Sequence, residues 1–229
     1  MMPRALYVTG TDTGVGKTVA STALLHALRR RGLRAVGMKP LASGCDRVDG
    51  AWRNEDALAL QAASDPMPRY QDLNPYALPL PLAPELAARD AGVEIESGVI
   101  AAAFARLSAS ADAVVVEGVG GWAAPLSARL DQAQVVRALR LEVVMVVGMR
   151  LGCINHARLT ARAIAADGAR LVGWIASHVD PEMARQDENI ELLRGRLPAP
   201  CWGRLPHRSR PNARAMADHL DLPGSDSGK

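Results

Sequence analysis

Gly16, Lys17 and Thr18 close the stretch TGTDTGVGKT, Thr9 to Thr18, where groups able to do chemistry are packed most closely. A Gly-Lys-Thr after a Gly-containing loop brings backbone N–H groups, a helix N-terminus, an ammonium and a hydroxyl to one point. A polyphosphate and its metal require that set. Thr13, Gly14, Val15 and Gly16 would form the cradle, Lys17 would reach the β and γ phosphates, and the Thr18 hydroxyl would ligate Mg2+. The spacing is unusual: five residues separate Gly10 from Gly16, one more than in the standard loop. A plain Gly-rich turn between strand and helix is the alternative.

A metal on phosphates also needs carboxylates. Glu117 ends the apolar run AVVVE, where an unpaired carboxylate would be costly, and is the first candidate. Asp56, in RNEDALAL, is the second, although an acid in the first turn of a helix also answers to the helix dipole. Lys39 ends the run RAVGMK and is followed by PLASG. A lysine there can simply be solvated. With Ser43 as a hydroxyl donor and Gly44 permitting close backbone approach, it reads as an anion clamp. Gly118, Gly120 and Gly121, in EGVGG, leave room for a ligand lying close to the backbone.

These residues need elements to carry them. Strand-like runs fall at Ala5 to Thr9, Arg34 to Lys39, Ala113 to Glu117, Val143 to Val147 and Leu171 to Ser177, most of them continuously apolar as strands buried on both faces must be. Helix-like segments lie between them, at Thr18 to Arg31, Asn54 to Ala63, Ser97 to Leu107, Gln132 to Leu139 and Asn155 to Ala166. Such alternation predicts an α/β fold: a doubly wound, mostly parallel sheet with helices on both faces and ligands at the carboxyl ends of the strands. The Pro-rich NPYALPLPLAPE, Asn74 to Glu85, excludes a regular helix and reads equally as a surface connection or a substrate wall.

The 229 residues suit one domain, taken as 1–222, with 223–229 expected to be a disordered tail. A hydrophobic fraction of 48% with 22% charged residues is that of a soluble globular protein. The net charge of +3 comes from scattered arginines, and the one tight cluster, Arg29 to Arg31, reads as the solvated end of a helix; nucleic acid is not an expected partner. No apolar run approaches the roughly 18 residues that span a bilayer, so no membrane association is expected. Cys45, Cys153 and Cys201 form no C-x-x-C pair, which points away from disulfides and zinc and towards a cytoplasmic location.

Taken in order, VTGTDTGVGKT, KPLASG, RNEDALAL, NPY, VEGVGGW, PLS, VVGMRLGCINHARLT and GWIAS resemble the dethiobiotin synthetase family, from about Tyr7 to about Pro206. That family shares the extra loop residue and has a P-loop NTPase fold. The resemblance implies a homodimeric, Mg2+-dependent ligase that closes a ureido ring from 7,8-diaminononanoate, CO2 and ATP through a carbamate and a carbamic-phosphoric anhydride. It implies Thr18, Asp56 and Glu117 as Mg2+ ligands, Lys39 with Lys17 as catalytic lysines, and Ser43, Gly120 and Gly121 beside the substrate. Cys153 and Asn155 would help bind the substrate tail from the partner subunit. Nucleotide contacts would come from Thr13 to Thr18, Asp56, Glu117, Gly118, Gly120, Ser177 and Pro206.

The sequence departs from the family pattern in two places. Ser177 and His178 stand where it has Asn-Asp, so a single hydroxyl replaces the amide that reads adenine, and other nucleoside triphosphates become possible substrates. His207 replaces an aromatic residue after Pro206. The rival reading is a partition or positioning ATPase, which would carry an extra lysine at the position of Asp12. An inactive relative is the remaining alternative.

Overall fold

The computed structural model describes residues 5–224; the last five residues, most of the expected tail, lie outside the described residues. The central sheet has six parallel strands: β1 (Ala5–Gly10), β2 (Ala35–Met38), β3 (Ala113–Gly121), β4 (Glu142–Gly148), β5 (Leu171–Ser177) and β6 (Cys201–Leu205). Their order is β6-β5-β4-β1-β3-β2. From β1 the chain first builds the β3-β2 side and then crosses to β4 on the other side. The crevice where winding reverses therefore opens at the carboxyl end of β1, where α/β sheets bind ligands.

Alternation along the strands splits the core into two layers. Val8, Val115, Val144 and Val146 face one layer with Leu24, Leu25, Leu28 and Leu60, on helices α1 (Lys17–Arg30) and α2 (Glu55–Ala63). Tyr7, Val114, Val116 and Val143 face the other, with Ile100 and Leu107 of α3 (Ser97–Ser110) and with Val135 and Val136 of α4 (Gln132–Ala138). Helix α5 (Cys153–Ala166) packs Cys153, Ala157 and Ala161 against Met145, Val147, Trp174 and the buried Ile190 and Leu193 of α6 (Gln186–Arg194). The apolar continuity of the strands follows from helices covering both faces.

Several expectations are corrected. Strand β3 does not end at Glu117 but runs on to Gly121: Val8 pairs with Glu117 and Gly10 with Gly121, so Gly118 to Gly120 bulge out of register. Strand β6 and helix α6 were not anticipated. The first is short and interrupted by Gly203, and the second is so charged that its two buried residues hardly stand out. The Pro-rich stretch is not simply extended. Its Tyr76–Leu78 pairs in parallel with Leu41–Ser43, and Pro84 opens the short helix Pro84–Asp90, as a proline without an N–H can. Arg29 to Arg31 are not merely solvated either: Arg30 bonds Asp218 and the Arg214 carbonyl, and Arg31 donates to the carbonyls of Leu222 (2.7 Å) and Pro223 (3.0 Å). They fasten the C-terminal segment to α1.

Candidate active site

Helix α1 begins at Lys17, after Gly16 at φ 85°, and no side chain caps it. Its first N–H groups thus remain available to an anion. The glycine is required twice over. Its left-handed φ disfavours a Cβ, and a Cβ built there would lie 2.6 Å from Ser177 Oγ. Val15 is buried with its methyls packed close over Gly10 and Gly148, so it anchors the loop to the sheet and can offer a ligand only backbone.

Lys39 leaves the end of β2 and is buried, its side chain 4% exposed. Its Nζ donates to Glu117 Oε1 (2.6 Å), Asp56 Oδ2 (3.0 Å) and the Gly118 carbonyl (3.3 Å). The Thr18 hydroxyl approaches Asp56 Oδ1 (2.6 Å) and Glu117 Oε1 (3.0 Å). Asn54 caps α2 through Ala57 N (3.2 Å) and so sets Asp56 in its first turn. Asp56 stands in the first turn of α2, as the dipole reading has it, and its carboxylate also meets Thr18 and Lys39. The solvated reading of Lys39 does not hold.

Burial works against the Lys39 ammonium, but Glu117 and Asp56 more than offset it and hold its pKa above the ordinary lysine value. Lys17 moves the other way, lowered by burial and then by the Lys39 charge beside it. For Asp56 burial is outweighed by Lys39 and the Thr18 hydroxyl, and its pKa falls below the usual carboxylate range. Lys39 is therefore a buried and charged ammonium.

The donor set also fits a divalent cation. Glu117 is fully buried, and among the described residues its Oε2 has no hydrogen-bond partner. The single Thr18 proton cannot serve two carboxylates at once. Oxygen acceptors thus outnumber donors, which suits a hard ion with oxygen ligands. Among the described residues no group of three or more His, Cys, Asp and Glu could hold a metal, so the other ligands would be phosphate oxygens and water, as Mg2+ prefers.

Thr13, Gly14, Gly16, Lys17, Thr18, Lys39, Ser43, Asp56 and Gly120 line one cavity of about 440 Å³. Val19, Ala42, Asn54 and Val119 line it too, and sequence reasoning did not single them out. Glu117 and Gly118 join it through Lys39, and Gly121 closes the bulge. Ser177 is buried against Gly16, whereas Pro206 follows β6 beyond the cavity lining. Cys153 and Asn155 also stand outside it, at the start of α5. Cys153 is buried, with burial raising its thiol pKa, and Asn155 is exposed.

A second cleft, of about 460 Å³, lies at the other end of α1 among His26, Arg29, Arg30, Arg34 and Arg214. Three of its four guanidiniums are paired with Asp65, Asp218 and Asp112, so it is a seam of ion pairs, remote from the phosphate loop.

The AAA domain family matches residues 4–214. A relative from Xanthomonas oryzae pv. oryzae (strain PXO99A), named ATP-dependent dethiobiotin synthetase BioD, is 69% identical over 223 residues, 97% of this chain and 100% of that one. Another of the same name, from Xylella fastidiosa (strain 9a5c), is 66% identical over 203 residues, 89% of this chain and 90% of that one. Among solved structures, the MinC:MinD cell division protein complex of Aquifex aeolicus aligns with TM-score 0.57 at 14% identity, over 96% of this chain and 87% of that one. A ParA family ATPase from Chlorobium tepidum TLS aligns with TM-score 0.55 at 15% identity, over 91% and 86%. At those identities the likeness shows the P-loop NTPase fold alone. Identity of about two thirds along nearly the whole length is a different matter, and by it the chain belongs to the ATP-dependent dethiobiotin synthetase family.

Proposed function

We propose that this chain closes the ureido ring of dethiobiotin from 7,8-diaminononanoate, CO2 and ATP, with Mg2+ as cofactor and as a homodimer. The observation that carries the reading is the buried Lys39 ammonium, charged and set between Glu117 and Asp56 beside the phosphate loop. One amine of the substrate adds to CO2 and loses a proton, giving a carbamate. The carbamate oxygen attacks the γ-phosphorus and ADP leaves. The second amine then attacks the carbonyl carbon, the C–N bond closes the ring, and phosphate departs.

The residues supply alignment and charge. The loop N–H groups and Lys17 hold the triphosphate in line, and Lys39 faces the oxygens that exchange charge between carbamate and γ-phosphate. Thr18, Asp56 and Glu117 would hold Mg2+, which would supply positive charge to ease phosphoryl transfer. Ser43, Gly120 and Gly121 would lie beside the diamine. Cys153 and Asn155 would serve the partner subunit's site. Support for an interface there comes from Leu151, 95% exposed, and Leu159, 53% exposed, which flank Asn155 at intervals of four residues.

The partition-switch reading lacks its lysine. Asp12 is ion-paired with Arg150, and its carbonyl accepts from Lys17 (3.1 Å). Nucleotide preference is expected to be loose, because the Ser177 hydroxyl lies against Gly16 and offers no paired donor and acceptor to a base. The test is phosphate and nucleoside diphosphate release with 7,8-diaminononanoate, bicarbonate and Mg2+, run with ATP, GTP, CTP and UTP. Release that needs the diamine supports the ligase; diamine-independent hydrolysis would overturn it. Their ranking reports on Ser177.

A further inference from the structure

Gln132 opens α4 and is 1% exposed, yet its amide meets four polar atoms. Oε1 accepts from the Tyr7 hydroxyl and from the Val119 N–H (3.0 Å). Nε2 donates to the carbonyls of Gly121 (2.8 Å) and Ala124 (3.0 Å). Val119 offers only a donor and the two carbonyls only acceptors, so the orientation of the amide is fixed and every hydrogen-bonding valence is filled. Tyr7 must then be the donor. Its phenol is fully buried, and burial followed by the Glu117 charge pushes its pKa far up, so it stays neutral.

The segment held in this way is the bulge of β3. Gly118 to Gly120 leave the ladder with β1, so the Val119 N–H needs a partner from elsewhere. Gly118 is the fitted piece: a Cβ there would lie 2.5 Å from Tyr7 Oη and 2.7 Å from Gln132 Oε1. The same segment carries Glu117, the Gly118 carbonyl that accepts from Lys39, and Val119 and Gly120 of the cavity wall.

We propose that Tyr7 and Gln132 are positioning residues for this site, a buried pair that locks the Gly118–Gly120 bulge and so aims Glu117 and the Gly118 carbonyl at Lys39. The proposal rests on the ring-closing role given to Lys39. Neither residue touches the cavity, so their effect should fall on turnover and spare nucleotide capture.

The experiment compares wild type, Tyr7→Phe and Gln132→Met for diamine-dependent turnover and for amide hydrogen exchange of residues 119–124. Gln132→Met, which takes a partner from four polar groups and leaves the Gly121 carbonyl only the Ala124 N–H (3.2 Å), should lower kcat by about ten- to a hundredfold while KM for ATP changes less than about twofold. Tyr7→Phe removes a single bond and keeps the edge contact with Trp122, and should lower kcat by a few fold. Exchange at Val119 should rise in both. Wild-type kcat in either folded variant, or a loss confined to KM for ATP, would overturn the proposal; if Gln132→Met does not fold, Tyr7→Phe decides. Should wild type itself show no diamine-dependent turnover, the ring-closing reading fails, and unchanged exchange at Val119 would still sink the lock.

Discussion

Lys39 and Glu117 form a buried pair, 2.6 Å apart, with Asp56 as a second carboxylate on the same ammonium. Removing one partner of such a pair commonly costs about 3–5 kcal/mol, because the survivor is left charged and dry. Lys39→Ala should therefore lower stability as well as abolish ring closure. Since the phosphate loop does not contact the lost ammonium, a fluorescent nucleotide should still bind. Turnover like that of wild type would refute the role. Gly16→Ala tests the loop itself: a Cβ at φ 85°, 2.6 Å from Ser177 Oγ, forces the loop to shift, and KM for ATP should rise at least about tenfold. Ser177→Ala in the same chain would relieve the contact but not the φ, so recovery should be partial. That Lys17, Thr18, Lys39, Asp56 and Glu117 converge on one place was legible in the sequence, because Gly-Lys-Thr marks the loop, Lys39 and Glu117 end apolar runs and Asp56 opens a helix. Tyr7 and Gln132 were not. A tyrosine within a strand reads as core, and its partner lies 125 residues away.

Elements decide where these side chains arrive. A relay of hydrogen bonds ties α2 to the end of β2: the Asn54 N–H donates to Tyr70 Oη (2.8 Å), Tyr70 to Asn74 Oδ1 (3.0 Å), and Asn74 Nδ2 to the Lys39 carbonyl (2.7 Å). Asn54 caps the same helix with its side chain, so Asn54→Ala should cost about 1 kcal/mol, read as a lower urea midpoint. It should also raise the Mg2+ concentration needed for half-maximal turnover, because Asp56 loses its fixed turn. An unchanged Mg2+ requirement would confine Asn54 to stability. Periodicity revealed the five buried strands and the long helices, since a two-faced sheet leaves continuous apolar runs. It could not reveal the β3 bulge, whose glycines carry no pattern, nor α6, where only Ile190 and Leu193 are buried among charges. The roles of Asn54 and Asn74 were also hidden, because caps and relays depend on partners that only the fold brings near.

For the whole molecule, charge and association matter together. His26 is held below the ordinary histidine pKa, first by burial and then by Arg29, Arg214 and Arg30, and His178 is lowered by burial and Arg204. Depressed folded values mean that the unfolded chain takes up protons first. Stability should therefore be full above the unfolded pKa of about 6.5 and decline as pH falls through the folded values. Replacing both histidines with glutamine should flatten the urea midpoint between about pH 7 and 5, a window that lies above the range in which a carboxylate such as Asp56, its pKa lowered, takes up its proton; an unaltered slope would refute the role of the two histidines. Association is tested around the start of α5. Leu151 and Leu159 expose apolar surface on either side of Asn155, which with Cys153 is a predicted substrate contact outside the lining of the chain's own cavity. If the site is completed across a dimer, light scattering of the wild type should give about twice the 24.3 kDa chain mass. Leu151→Arg and Leu159→Arg together should halve that mass and raise KM for the diamine while leaving KM for ATP near its original value, since the phosphate loop belongs wholly to one subunit. A monomer with an undiminished diamine affinity would show that Cys153 and Asn155 take no part in binding the substrate tail.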